Sequence, residues 1–275
     1  MKQILRKVLG LLPVLILVII ILLALLAPVA APYGKAEQDL LSRLQPPGGA
    51  HLLGTDELGR DVFSRILYGT RVSLVAAVLP TAAALLLGTA MGLLCAALGG
   101  WADFLIMRLA DITLSFPGIL LAMVILYTFG GSLSSVFLSL TIMEWGSIAR
   151  IVRSVTLRIR ESEFVLAAKT IGVRPWTVVL RHILPNLQSV LIVLFTLNVP
   201  VSILSESSLS FLGIGIQPPD VSLGLMVNQS RQFLFQMPWL SLAPAGTIML
   251  LVLGFNFLGD NLRKVLDPEG ETQSI

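Results

Sequence analysis

Charge is scarce in this chain of 275 residues: Asp, Glu, Lys and Arg make up 13%, where soluble domains average about a quarter. Cysteine is rarer still. Cys95 stands alone in an apolar run, which excludes a disulfide framework or a cysteine metal cluster and reads as a small buried hydrophobe. The sequence has no G-x-x-x-x-G-K-[ST] loop, so it does not cradle nucleotide phosphates by that means. It also lacks H-E-x-x-H and G-x-S-x-G, the signatures that would argue for an intramembrane hydrolase, and no catalytic residue is assigned. The pI is about 9.3, but the basic residues form no stripe with interleaved aromatics, so nucleic acid is not an expected partner.

What is present is hydrophobic: 55% of the residues, with a mean hydropathy of +0.88. Stretches long enough to cross about 30 Å of hydrocarbon occur near 9–31, 73–98, 112–129, 133–150, 187–207 and 240–258. The expected fold class is therefore an all-α membrane protein of about six transmembrane helices. The first run follows "MKQILRK" and exceeds a signal-peptide core, so it is expected to be an uncleaved span. The third and fourth are short and separated by "GGSLSS", which reads as a tight hairpin.

Six spans place both termini on one side. If that side is the cytoplasm, 13 of the 19 Lys and Arg lie inside, and Lys35, Arg43, Arg60, Arg65, Arg71 and Arg231 lie outside. That asymmetry follows the positive-inside rule, so N- and C-termini are expected to be cytoplasmic. By the same topology His51 and His182 lie on opposite sides and cannot share a metal, and no metal site is assigned.

Residues 1–71 are expected to form the first span plus an extracytoplasmic amphipathic segment, and 72–275 a core of five spans. In "HLLGTDELGRDVFSRILYGTR", Thr55 and Asp56 are cap-type residues, and Leu58, Val62, Phe63, Ile66 and Leu67 share a helical face. Asp61 and Arg65 are an i, i+4 pair. The expectation is a helix lying on the membrane, either supporting the spans or docking an external partner. In the second span Gly88, Gly92, Ala96 and Gly100 recur at intervals of four, the spacing that lets helices approach closely in lipid, within the chain or between subunits.

One polar stretch interrupts the apolar sequence: "SEFVLAAKTIGVRPWTVVLRHILPN", Ser162 to Asn186. Residues 163–171 predict a short helix with Phe164, Ala168 and Ile171 on one face, closed by Gly172 at a left-handed position. Pro175 suits the first turn of a second helix carrying Trp176, Val179, Leu180, Ile183 and Leu184 on one face, with Pro185 ending it. Such a helix-turn-helix can rest on the bilayer or fit a groove on a partner.

The spacing of Ala167, Ala168, Gly172, Leu184 and Pro185 resembles the coupling loop of ABC-importer permeases. Leu166 stands where the pattern has Glu. "LGTDELGRDVFSRILYGTRVSL", "ADITLSFP", "SLSFLGIGIQPP" and "LGDNLRKVLDP" are similar to the C-type permease of dipeptide, oligopeptide and nickel importers, in the family's order. The resemblance implies a cytoplasmic coupling loop at 161–186, with Pro175 within it, in a bacterial or archaeal cell membrane. It also implies four kinds of partner: a homologous second permease, two ATPase subunits, an extracytoplasmic substrate-binding protein and the lipid bilayer. ATP and Mg would be bound by the ATPase subunits and no cofactor by this chain.

Glu206, near the outer end of the fifth span, matches an acidic position of the family; it can line the pathway, hold an outer gate or cap backbone. Asn198 and Pro200 lie mid-span, where Pro200 is expected to kink the helix and free a carbonyl. Glu144 is expected near Arg150 or Arg153 as a structural ion pair, and Asp260 and Asp267 with Arg263 and Lys264 as a solvated inner patch. Short peptides are the expected cargo, with nickel or a metal–chelator complex the alternative. A secondary transporter would also have six spans, but nothing in that class explains the Gly- and Pro-delimited loop.

Overall fold

The computed structural model of the chain describes residues 2–266, with side chains described for 12–266. Asp267 and Pro268, read from the sequence as part of a C-terminal patch and motif, lie outside the described residues. Regular structure among the described residues is helical, with one isolated bridge between Thr55 and Asp61. The chain opens with α1 (Lys2–Leu25) and a single turn, α2 (Ala27–Ala30). After the connecting segment 31–61 come α3 (Val62–Leu98), α4 (Gly100–Ser115), α5 (Gly118–Phe129) and α6 (Leu133–Arg160). The polar helices α7 (Glu163–Thr170) and α8 (Pro175–Val178) lead into α9 (Leu184–Phe211), α10 (Leu223–Ser230) and α11 (Trp239–Leu266).

Four helices are long and apolar enough to span: α3, α6, the continuous Pro175–Phe211 unit and α11. The α4–α5 pair makes a fifth candidate, and α1 is apolar over Leu12–Leu25. The third expected span is not one straight helix. It breaks at Phe116–Pro117 and bends by 88°. Pro117 has no N–H to continue the ladder and forces Phe116 into an extended conformation (ψ 142°), so the helix must restart at Gly118.

The membrane-surface helix expected over 51–71 is also absent as a separate element. Gly54 and Gly59, with φ of +73° and +71°, turn the chain instead. Asp61, rather than Thr55 or Asp56, is the N-cap, its Oδ2 accepting from Ser64 N at 2.7 Å. From there α3 runs 37 residues without a break, passing through residue 71. At 1.5 Å per residue that is about 55 Å, well beyond the hydrocarbon thickness, so the amphipathic stretch is the extramembrane end of a span.

The expected Asp61–Arg65 pair does not form. Asp61 accepts instead from His51 Nδ1 (2.9 Å), and Arg65 reaches Asp56, which also accepts from Arg60 Nε at 2.7 Å. Gln229 Oε1 of α10 takes a further hydrogen bond from Arg65 Nη2 at 3.1 Å. Arg65 is only 4% exposed, so its charge depends on these acceptors. Asp56→Ala is expected to lower the stability of the purified permease by about 3–5 kcal/mol, since it leaves a buried cation unpaired. An unchanged thermal midpoint would show that Arg65 finds water instead.

Three apolar clusters hold the helices together. One joins α1, α3, α9, α10 and α11 through Leu17, Ile66, Ile203, Met226 and Leu251. A second joins the C-terminal parts of α3 and α6 to α7–α9 through Leu93, Val152, Val165 and Ile183. A third joins α3, α5, α6 and the end of α9. Close approach of α3 to α6 uses Gly88 and Gly92: a Cβ would meet Trp145 O at 2.8 Å from the first and Ala149 O at 2.7 Å from the second. Gly100 does not belong to this seam. It starts α4 with φ +50° and has nothing within 4 Å of a Cβ, so it turns the chain rather than packing it. Gly254 does a similar job elsewhere, with Leu17 Cβ at 2.6 Å, placing α1 against α11.

Candidate coupling and pathway site

The polar stretch folds as two helices around a tight closure. Gly172 takes φ +81°. Its N–H donates to Lys169 O at 3.0 Å and that of Val173 to Ala168 O at 3.1 Å, which is the Schellman pattern that ends a helix with its last carbonyls satisfied. Pro175 then opens α8, where a missing N–H is free of cost. The second helix does not stop at Pro185. A π-turn over 179–183, in which Leu184 N donates to Val179 O, carries the chain into α9, with Pro185 in its first turn. Asn186 Nδ2 donates to His182 O at 2.6 Å, supplying a side-chain donor beside the proline.

The buried face differs from the expected one. Val165, Ala168, Val178, Val179 and Ile183 pack on α3 and α6, whereas Phe164, Leu166, Ile171, Trp176 and Leu180 are exposed. Ile171 is 80% exposed and Trp176 56%. The two helices are apolar on more than one side: one side joins the permease body and the other is left open. Ala167, Gly172, Pro175 and Pro185 are exposed, Leu184 is half-buried, and Ala168 is buried.

Glu206 is fully buried, so it does not line an open surface in this conformation. It accepts from Ser210 Oγ (2.7 Å), Ser73 Oγ (3.1 Å) and Ser207 Oγ (3.5 Å), not from backbone. Ser73 Oγ in turn accepts from Leu223 N at 3.2 Å, so the carboxylate ties α9 to α3 and to the start of α10. Asn198 Nδ2 donates to Leu194 O of its own helix at 2.7 Å, and Pro200 is buried within a helix that continues past it. These three residues therefore sit on one helix and make separate contacts.

The ion pair expected of Glu144 is absent. Arg150 reaches Asp111 at 2.6 Å and Arg153 reaches Asp103 with two bonds of 2.5 Å, both on α4. Glu144 instead points into the body, where Ser202 Oγ donates to its Oε1 and Thr81 Oγ1 lies 2.7 Å from Ser202 Oγ. Sequence reasoning missed this α3–α6–α9 polar contact because its members lie far apart in the chain and form no motif.

Comparison with known proteins is decisive at this point. Residues 84–269 match the family described as binding-protein-dependent transport system inner membrane component, and residues 1–47 match the N-terminal TM domain of oligopeptide transport permease C. The chain belongs to this permease family. The permease is 41% identical over 98% of its length to the dipeptide transport system permease protein DppC of Alkalihalophilus pseudofirmus, covering 88% of that protein. It is 42% identical to the glutathione transport system permease protein GsiD of Pectobacterium atrosepticum, over 81% of this chain and 74% of that protein. Among solved structures, the fold matches a chain of the MetNI methionine ABC transporter in its inward-facing conformation, with a TM-score of 0.61 and 18% identity, over 74% of this chain and 96% of that one. The permease is thus a multi-pass inner-membrane subunit of an ABC importer and not itself the catalyst. A second permease, an ATPase and a binding protein complete such a machine.

Proposed function

We propose that the permease forms half of the translocation pathway for short peptides, which a binding protein delivers from outside and which two ATPase subunits drive with ATP and Mg. The match to dipeptide and glutathione permeases supports this cargo, glutathione being itself a tripeptide. The observation that carries the coupling reading is the open apolar rim of the helix-turn-helix. Ile171 and Trp176 flank the Gly-Pro closure, and the described residues of the chain leave them exposed. A groove on an ATPase would bury them by helix-in-groove recognition. Glu206, with its three serine donors, would hold the ends of α3, α9 and α10 as a gate; Asn198 and Pro200 would let α9 flex below it.

The cargo is tested by identifying what the adjacent binding protein carries after native purification. Di- to oligopeptides are expected in its mass spectrum. A metal-loaded chelate, with uptake indifferent to excess peptide, would replace peptide by metal complex and leave the coupling reading intact.

Orientation has its own test. With Cys95 replaced, Gln45→Cys on the outer segment should react with an impermeant thiol reagent added outside, and Arg174→Cys should not. Both positions are exposed, so access is set by side alone. The reverse pattern would place the helix-turn-helix outside and remove any contact with an ATPase.

A further inference from the structure

Behind the helix-turn-helix, between the end of α3, the end of α6 and α7–α8, lies a half-open cavity of about 300 Å³. Its walls are apolar, with Ala96, Val178 and Val179 among them, except for Arg160, Lys169 and Thr156. No acidic residue lines it. Neither cation has a carboxylate partner among the described residues: Arg160 Nη1 donates to Ala96 O at 2.6 Å, and Lys169 joins no ion pair. Thr156 is 1% exposed and its hydroxyl has no hydrogen-bond partner. Both cations sit in the last turn of a helix, which favours them there. A helix end carries only about half a charge, so it compensates each cation in part. Earlier on α6 two arginines are matched, Arg150 by Asp111 and Arg153 by Asp103, whereas Arg158, Arg174 and Arg181 join no ion pair among the described residues and lie outside the cavity lining.

We propose that this cavity binds a phosphate group, two cations holding the anion and the apolar walls excluding water around it. The cavity is large enough for a phosphate and the first carbons attached to it. Basic pockets between spans at a membrane surface are suited to anionic lipid headgroups, and free phosphate offers the same chemistry. A phosphate here would bridge α6 to α7, the body of the permease to the element that, on the function proposed above, faces the ATPase.

The experiment uses the assembled transporter, purified in detergent, for the wild type, Lys169→Gln and the double variant R160Q/K169Q. Native mass spectrometry measures retained phospholipid, and titration with inorganic phosphate under a thermal-shift readout measures the free anion. Retention of an anionic lipid that falls about fivefold for each cation removed is expected. Wild type holding no lipid but stabilised saturably by phosphate, with the response lost in Lys169→Gln, would assign the site to the free anion. Retention of neutral and anionic lipids alike, or binding unchanged in Lys169→Gln, would overturn the proposal. So would loss of ATPase subunits from Lys169→Gln with lipid content unchanged, which would give the cations to a carboxylate of the partner. The Lys169 side chain is exposed and makes no hydrogen bond within the described residues, so the single variant remains informative if the double variant fails to assemble.

Discussion

Gly172→Ile is expected to abolish most uptake and most substrate-stimulated ATP hydrolysis together, in a permease that still folds and assembles. The effect comes from the backbone and not from crowding. Gly172 has φ +81° and nothing lies within 4 Å of the Cβ it lacks. A β-branched residue held there costs about 1–3 kcal/mol, enough to make the closure refold into another turn. The two hydrogen bonds that end α7 would then be lost, and Ile171 and Trp176, exposed on either side, would point elsewhere. Gly172→Asn is the discriminating control, because asparagine tolerates left-handed backbone. It should keep most of the activity. Proteoliposomes with loaded binding protein give both readouts, and normal transport by Gly172→Ile at normal expression would remove the helix-turn-helix from the coupling role.

Gly92→Val is expected to destabilise the membrane-embedded body strongly. A Cβ at this position meets Ala149 O at 2.7 Å and Val152 Cβ at 2.9 Å, and backbone carbonyl has nowhere to go without moving α6. Gly88→Leu would press on Trp145 O and Ile148 in the same seam. Overpacking of this kind costs about 1–3 kcal/mol per site, and the thermal midpoint of the assembled transporter should fall by on the order of 5 °C. Gly246→Ala is the control. It lies in α11 with nothing within 4 Å of its Cβ, and the midpoint should hold or rise. An unchanged midpoint in Gly92→Val would mean that α3 and α6 are not in contact as described.

The spans were legible because lipid imposes a simple demand on sequence: long apolar runs, with backbone bonds satisfied within each helix. The spacing of Gly88 and Gly92 and the left-handed position of Gly172 were legible for a related reason. A missing side chain at a fixed interval, or at a helix end, has few physical uses. What could not be read was which partner a polar residue chooses. Asp61 and Arg65 stand at the right spacing to pair, yet Asp61 caps α3 and binds His51 while Arg65 goes to Asp56. Glu144 was assigned to arginines a few residues along its own helix, and instead meets Ser202 from α9. Local pairing rules gave no warning of either, because the choice is made by burial and by residues brought in from other helices.

The phase of the helix-turn-helix failed for a different reason. Its two short helices carry apolar residues on both sides, so a single stripe chosen by spacing is one of two solutions. Val165 and Ile183 proved to be the inner set, and Phe164, Ile171 and Trp176 the outer one. A similar surplus misplaced the end of the second helix. Pro185 reads as a stop, but a π-turn just before it lets the helix continue into α9. The second helix of the loop and the span that carries Pro200 and Glu206 are therefore one continuous helical unit.

Contact between that loop and an ATPase is the central requirement of the proposed function. A photo-crosslinking amino acid placed at Trp176 in the assembled transporter tests it directly, with analysis of the adducts by mass. The account predicts a covalent product with an ATPase subunit, strong with nucleotide present and weak for the same probe at Gln45. A probe at Trp176 that captures only lipid, or only the binding protein, would contradict it.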